Sequence, residues 1–190
     1  MVASRITQIL QSRSPRTLAL QDFKPAAVLL PIQERRDGDY LVLTKRAAHL
    51  NHHSGQIAFP GGRVDARDAD EAQAALRETH EEIGIHPRDV KILGQLDQVN
   101  AAYGFLVTPF VGVVPPHYEF RLNPAETESV SSVPIAALLE PGTFVVDDVP
   151  SPRGYPNYHF YVNEWDIWGV TARILVQFLE IVYDFQIKKI

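Results

Sequence analysis

The chain has 190 residues, enough for one domain with a sizeable core. Its composition, 45% hydrophobic and 22% charged, excludes a disordered or fibrous chain, and a net charge of −5 gives no global basic footprint for nucleic acid or an anionic membrane. The absence of cysteine excludes disulfides, thiolate catalysis and cysteine-ligated metal.

The opening segment, MVASRITQILQSRSPRTLAL, lacks the continuous apolar core and cleavage site of a secretory signal. It reads as a short helix, and a cytoplasmic protein is expected. AAVLL (26–30) and YLVLTKR (40–46) read as strands joined by a polar turn in QERRDGD (33–39), and QIAF (56–59) is a third strand candidate. A helix follows, with Asp68 expected to cap its start, Glu71 three residues later completing a capping box, and Gly84 supplying a left-handed stop. Ala72, Ala75, Leu76, Thr79 and Ile83 give that helix a face of mostly small residues for close packing. VKILGQL (90–96) and FLVTPFVGVV (105–114) are further strands, Pro115-Pro116 a surface loop, and PIAALLE (134–140) a small helix. TFVV (143–146) and YHFYV (158–162) are short strands flanking the loop DDVPSPRGYPN (147–157). In IWGVTARILVQFLEIVYDF (167–185), Arg173, Gln177, Glu180 and Asp184 recur at helical spacing, marking an amphipathic helix rather than a membrane span. The pattern predicts a mixed sheet with helices on its faces and no boundary dividing residues 1–190.

The helix ending at Gly84 breaks two local rules. Glu78, Glu81 and Glu82 share one face, and a like-charged i,i+4 pair costs about 0.2–0.5 kcal/mol in an isolated helix. Acids in the last turn also oppose the helix dipole, at about 0.3–1 kcal/mol each. A solvated acidic face is the bland reading. A divalent cation converts the same repulsion into shared attraction, and Mg²⁺ sites usually combine one or two carboxylates with substrate phosphates. The preceding FPGGRVDARD places Gly61 and Gly62 in a tight turn, whose carbonyls can reach a metal and whose amides can approach a phosphate.

These residues resemble the Nudix box, G-x5-E-x7-R-E-U-x-E-E-x-G-U with U apolar. Gly62 matches its opening glycine and RETHEEIGI (77–85) its end, except that Thr79 stands at an apolar position. Asp68 occupies the first Glu position, separated from Arg77 by eight residues rather than seven. LTKRAAHLNHHSGQIAFPGG further resembles the extended motif of the coenzyme A pyrophosphatase branch, L-L-T-x-R-[SA]-x3-R-x3-G-x3-F-P-G-G. Leu43, Thr44, Arg46, Ala47, Gly55, Phe59, Pro60, Gly61 and Gly62 match; Val42 replaces the first Leu, and Asn51 the second Arg.

The resemblance implies an α+β fold, a Nudix α/β/α sandwich with a mixed sheet, forming a single domain over residues 1–190. It implies hydrolysis of the diphosphate bond of coenzyme A or its thioesters, giving 3′,5′-ADP and 4′-phosphopantetheine or its acyl derivative, with Mg²⁺ or Mn²⁺. A small diphosphate substrate is the expected partner, with neither nucleic acid nor membrane. Glu78, Glu82 and Glu81 are the implied metal ligands, and Glu81, Glu126 and Arg77 the catalytic group, with Arg77 holding a glutamate in place. Arg46, Gly61, Gly62 and His53 are the expected substrate-binding positions. Glu128 competes with Glu126 as the acid outside the box, and either could be a solvated loop acid. Whether coenzyme A is selected depends on Asn51 and on compensation by Lys45, Arg46, His52 or His53. Two other readings stay open: hydrolysis of NADH, ADP-ribose or a nucleotide sugar, and a non-catalytic nucleotide-binding module. A zinc site at His49, His52 and His53 lacks a helical His pair or a carboxylate at zinc spacing. Trp165, Trp168, Tyr155 and Tyr158 read as core or rim packing that can also stack on a base.

Overall fold

The computed structural model describes residues 2–19, 22–50, 53–147, 149 and 154–187. After helix α1 (Val2–Gln11) come strands β1 (Lys24–Arg35), β2 (Gly38–Arg46), β3 (Ile57–Ala58) and β4 (Gly61–Arg63), and helix α2 (Glu71–Ile83). Strands β5 (Lys91–Gln95), β6 (Val99–Asn100), β7 (Phe105–Val114) and β8 (Thr127–Pro134) lead to the single turn α3 (Ile135–Leu138). Strands β9 (Phe144–Val146), β10 (Tyr158–Val162) and β11 (Trp165–Trp168) precede the final helix α4 (Gly169–Tyr183).

Strand β1 organises the main sheet. It runs parallel to β7 from Lys24↔Phe105 to Gln33↔Val114, and antiparallel to β2 and β4 along its other edge. The sheet proceeds β3-β2-β1-β7-β5, with β4, β6 and β8 added at the sides, so it is mixed as expected. A separate antiparallel sheet has the order β11-β10-β9.

Side-chain alternation sorts β1 between two layers. Ala27 and Leu29 face Ala74, Ala75 and Leu76 of α2, whereas Ala26, Leu30 and Ile32 join the core formed with α1 and α4. Strand β2 divides likewise: Leu41 and Leu43 enter the large core, while Val42 packs with Ile83 and Ile85. The result is a helix–sheet–helix sandwich in an α+β architecture, carried by alternation within individual strands.

Several expectations change. The cap of α2 is Asp70, not Asp68: Asp70 is extended and accepts from the Gln73 N–H at 2.8 Å. Asp68 is instead claimed by Arg77 and by the Asp65 N–H, so Glu71 becomes the first helical residue. Strand β8 covers the polar TESVSSVP, a stretch outside the strands expected from the sequence. Among the described residues it pairs only with β2, and its side chains are mostly half-buried, so the strand tolerates serines that hide the alternation. The last helix starts at Gly169, because WDIW pairs with YHFYV across a tight turn at Asn163, whose φ of 54° is left-handed. The turn in QERRDGD narrows to Arg36-Asp37 as β1 and β2 extend toward each other.

The entry to β4 tolerates no side chain. A Cβ on Gly61, whose φ is 147°, would collide with the Ala27 carbonyl oxygen and lie 2.6 Å from Val28 Cα. Gly142 has φ 88° but open space around it. We predict that Gly61→Ala destabilises the fold by about 2–5 kcal/mol in urea denaturation, adding overpacking to backbone strain, against about 1–2 kcal/mol for Gly142→Ala.

Candidate active site

The end of α2 meets three other segments. Its terminal carbonyls lack helical donors and are taken instead by the next layer: Arg121 N–H donates to Ile83 O at 3.0 Å, and Asn123 N–H to Glu82 O at 2.9 Å. Gly84 has the left-handed φ of 77° expected of a helix stop. Ala47 N–H donates to Glu126 O at 2.9 Å, tying the same loop to the end of β2. These backbone bonds bring Arg46 and Glu126 to the helix face that carries Glu78 and Glu82.

Glu82 is the buried member, 4% exposed. Its Oε2 accepts from the Gly61 N–H at 3.2 Å, and Arg46 stands 3.7 Å from Oε1. Burial pushes its carboxyl up to about 8 against those two partners, and the charges of Glu126 and Glu78 add to the rise. Glu78, half-buried beneath Gly62, is also raised, first by burial, with Arg77 opposing and Glu81 and Glu126 contributing repulsion. A Cβ on Gly62 would lie 2.6 Å from the Glu78 carboxyl, so that glycine makes room for the acid.

Arg77 spans the loop–helix unit. It donates to both Asp68 oxygens at 2.8 and 2.9 Å, to Glu78 at 2.8 Å, to Glu81 at 3.0 Å and to the Arg63 carbonyl at 3.1 Å. The Arg77 hydrogen bonds hold Asp68 down to about 2. Arg77 itself is held firmly charged, chiefly by Asp68. Asp68 thus occupies the near end of a paired fork rather than the helix cap, a role its spacing from Arg77 did not disclose.

The remaining expected site residues divide. Glu81 is 44% exposed on its side chain and turned to Arg77 and, at 3.7 Å, to Arg67, so it lies beside Glu78 but is not drawn to Glu82. Glu126 faces Glu78 and Glu82 closely enough to raise both, while Glu128 is engaged by Lys45 at 2.7 Å. His53 stands edge-on to Tyr103 with ring centroids 5.4 Å apart, and His49 contacts the Ala125 carbonyl at 3.1 Å. Asn51 and His52 lie outside the described residues. Among the described residues, no three His, Asp or Glu side chains already surround a common metal position.

The acids nonetheless fit a divalent cation. Glu78, Glu82 and Glu126 repel one another across a partly dehydrated space in which Arg46 supplies positive charge to Glu82 only at 3.7 Å. The Nε of Arg46 is buried without a hydrogen-bond partner among the described residues, so this cation does not satisfy the cluster. A hard cation lowers the cost of every carboxylate there at once.

A cleft of about 540 Å³ opens over Gly61 and Gly62. Its basic lining residues are Arg46, His53 and Arg63, no carboxylate lines it among the described residues, and Phe59, Tyr103, Phe105 and Trp168 supply aromatic surface. Arg63 follows the Gly-Gly pair directly, a positional signal that sequence reasoning passed over. Tyr103 is recognisable only in three dimensions, from its left-handed φ of 57° and 60% exposure.

The buried acid sets a pH test for the metal-free protein. Because Glu82 is raised from 4.5 to about 8, the folded state retains a proton that the unfolded chain releases between those values. The contribution favouring the fold is complete below the lower value and is lost as pH rises through the upper one, worth about 1.4 kcal/mol for each pH unit between them. Glu82→Gln is therefore expected to gain stability relative to wild type as pH rises from about 5 to about 8 in chelator, as read by thermal denaturation. Parallel curves for the two proteins would refute the buried acid.

A profile of the NUDIX domain matches residues 22–151. The chain is 44% identical over 156 residues to a protein of Salmonella paratyphi B named "Uncharacterized Nudix hydrolase NudL", covering 80% of this chain and 79% of that one. Among solved structures, a MutT/nudix family protein from Enterococcus faecalis superposes with TM-score 0.59 at 16% identity, over 97% of this chain and 70% of the other. A Nudix hydrolase from M. smegmatis, RenU, does so with TM-score 0.52 at 23% identity, over 63% and 78%. These two show the shared fold. No helix among the described residues is long and apolar enough to cross a membrane. Nudix hydrolases generally use divalent metal cations to cleave diphosphate linkages in nucleoside diphosphate derivatives, a chemistry that suits an acidic helix set under a Gly-Gly turn. With the profile spanning most of the chain and the Salmonella relative covering four-fifths of it, the chain belongs to the Nudix family and is a Nudix hydrolase.

Proposed function

We propose that this enzyme hydrolyses the diphosphate bond of coenzyme A or its thioesters to 3′,5′-ADP and 4′-phosphopantetheine or its acyl derivative, using Mg²⁺ or Mn²⁺. The observation that carries this reading is the cleft over Gly61 and Gly62, where every charged lining residue is basic and the acidic helix lies alongside. Coenzyme A brings a diphosphate and a 3′-phosphate, and Arg46, Arg63 and His53 offer positive or hydrogen-bonding groups for that anionic half. The extended motif ending at Gly62 supports the same substrate.

In this reading Glu78 and Glu82 hold the cation, with Glu81 available beside Glu78 once it leaves its arginine partners. A divalent cation bound there polarises a phosphoryl oxygen and makes water a better nucleophile. The protein's own groups do the rest. Arg77 fixes Glu78 and the Arg63 carbonyl relative to the helix, and so sets the height of the Gly61–Gly62 turn. Water adds at one phosphorus, the bridging P–O bond breaks, and the water proton passes to Glu126. Glu126 suits this role better than Glu128 because it faces the other acids, whereas Glu128 is paired with Lys45.

Purified protein is expected to release 3′,5′-ADP from coenzyme A with Mg²⁺ or Mn²⁺ and to lose turnover in chelator, with products identified by mass. Glu82→Gln should lower kcat by about 100-fold or more, a loss of several kcal/mol of transition-state stabilisation. Glu126→Gln should cost about 10²–10⁴-fold as the loss of a general base. Glu128→Gln, which breaks only an exposed pair, should stay within about twofold. Equal kcat/KM for coenzyme A and dephospho-coenzyme A would show that the 3′-phosphate is not read and would move the assignment to another nucleoside diphosphate derivative.

A further inference from the structure

A second cleft, of about 620 Å³, adjoins the first. The two share Ala101, Ala102, Trp168, Gly169 and Val170, so they are lobes of one groove passing the start of α4. Trp168 ends β11, is 46% exposed and lines both lobes, which places it on the divide. Gly61 and Gly62 line only the near lobe. A ligand whose diphosphate sits at that turn therefore has two directions in which to extend.

The lobes differ in charge. In the near lobe the acidic and basic lining residues are Arg46, His53 and Arg63. In the far lobe they are Asp147, Asp166, His159 and Arg173, and these are already engaged with their neighbours. His159 Nδ1 lies 2.8 Å from Asp166, and Nε2 lies 3.4 Å from Asp147. Arg173 donates to the backbone and side-chain oxygens of Asn100 at 2.9 and 3.2 Å, and its guanidinium lies 4.3 Å over the Tyr155 ring. A phosphate monoester entering the far lobe meets two carboxylates, and the cations there are committed elsewhere. A neutral, amide-bearing chain meets no such repulsion; Asn100 and Asn157 are themselves hydrogen-bonded to Arg173, Tyr155 and the Val149 carbonyl, and the exposed Trp168 ring offers that chain apolar surface.

Resting on the coenzyme A reading, we propose that the substrate binds in one direction: its phosphorylated nucleotide half occupies the near lobe, and its neutral pantetheine arm passes Trp168 into the far lobe. The far lobe then determines which arms are accepted, while the near lobe reads the 3′-phosphate. This assigns Trp168 to arm recognition, with Asn157 and the His159–Asp166 pair forming the wall that bounds the arm.

The two reaction products report the two halves separately, so binding can be measured by calorimetry without turnover. Asn157 lines the far lobe and not the near one, and the Arg63 side chain can be removed without losing the backbone carbonyl that Arg77 uses. Asn157→Trp, which fills the far lobe, should weaken 4′-phosphopantetheine by about tenfold or more and leave 3′,5′-ADP within about twofold. Arg63→Ala should show the reverse pattern. Retained 3′,5′-ADP binding by Asn157→Trp also reports that the variant is folded, and Asn157→Phe is the smaller block if it is not. A folded blocking variant that weakens 3′,5′-ADP as much as 4′-phosphopantetheine, or that leaves 4′-phosphopantetheine unchanged, overturns the orientation. Failure of the underlying reading looks different: wild-type protein neither hydrolyses coenzyme A nor binds either product.

Discussion

The site depends on the Arg77 guanidinium, which joins Asp68, Glu78, Glu81 and the Arg63 carbonyl in one set of hydrogen bonds. A single planar fork satisfies acids from the loop before α2 and from the helix itself, together with a carbonyl at the end of the Gly-Gly strand. Without it, three carboxylates would face one another around a turn that must also approach β1 closely. Charge-assisted bonds of this kind are worth more in a partly buried setting than on the surface, because removing one partner leaves the others dehydrated and unpaired. Arg77 therefore ties the fold to the candidate site.

What Arg77 does not satisfy is equally informative. Among the described residues, buried Glu82 has only the Gly61 N–H and a distant Arg46 to support its charge, and its carboxyl is raised into the neutral range. Burying an acid without a close counter-ion is costly, and a cation that joins several such acids recovers that cost on binding. One group of acids is hydrogen-bonded by arginine; Glu82 has no such close arginine partner among the described residues. The division runs through a single helical turn, with Glu81 on the arginine side, Glu82 on the other, and Glu78 touching both.

Legibility in the sequence followed the physical origin of each feature. The strand AAVLL and the helix with its Gly84 stop were readable because alternation and capping are local effects written within a few residues. Strand β8 was not, since its serines pair with β2 through backbone bonds that do not depend on side-chain hydrophobicity. The cap moved from Asp68 to Asp70 because two aspartates two residues apart were both competent, and only the distant Arg77 chose between them. Tryptophans 165 and 168 lie in strand β11, although Trp168 abuts an apolar run that reads as uninterrupted helix. There the deciding partner was β10, seven residues upstream on the Phe160–Ile167 pair.

By itself, the sequence determined the reaction class and marked a candidate site: a Gly-Gly turn, an arginine and three glutamates at helical spacing lie where charge is crowded beyond what a helix favours. It also determined the layered architecture, because the two periodicities, near two in the strands and near 3.6 in the helices, leave few ways to bury both apolar faces. Tertiary structure alone decided which acids meet. Glu126 comes close enough to raise Glu82 because the carbonyls at the end of α2 accept from the N–H groups of a loop some forty residues further on. It also decided that the groove has two lobes of different charge, since Arg63 stands about a hundred residues before Asp166 and Trp168, and packing alone brings strands β4 and β11 to the same groove. Long-range hydrogen bonds and packing carry that information, and no local spacing encodes it.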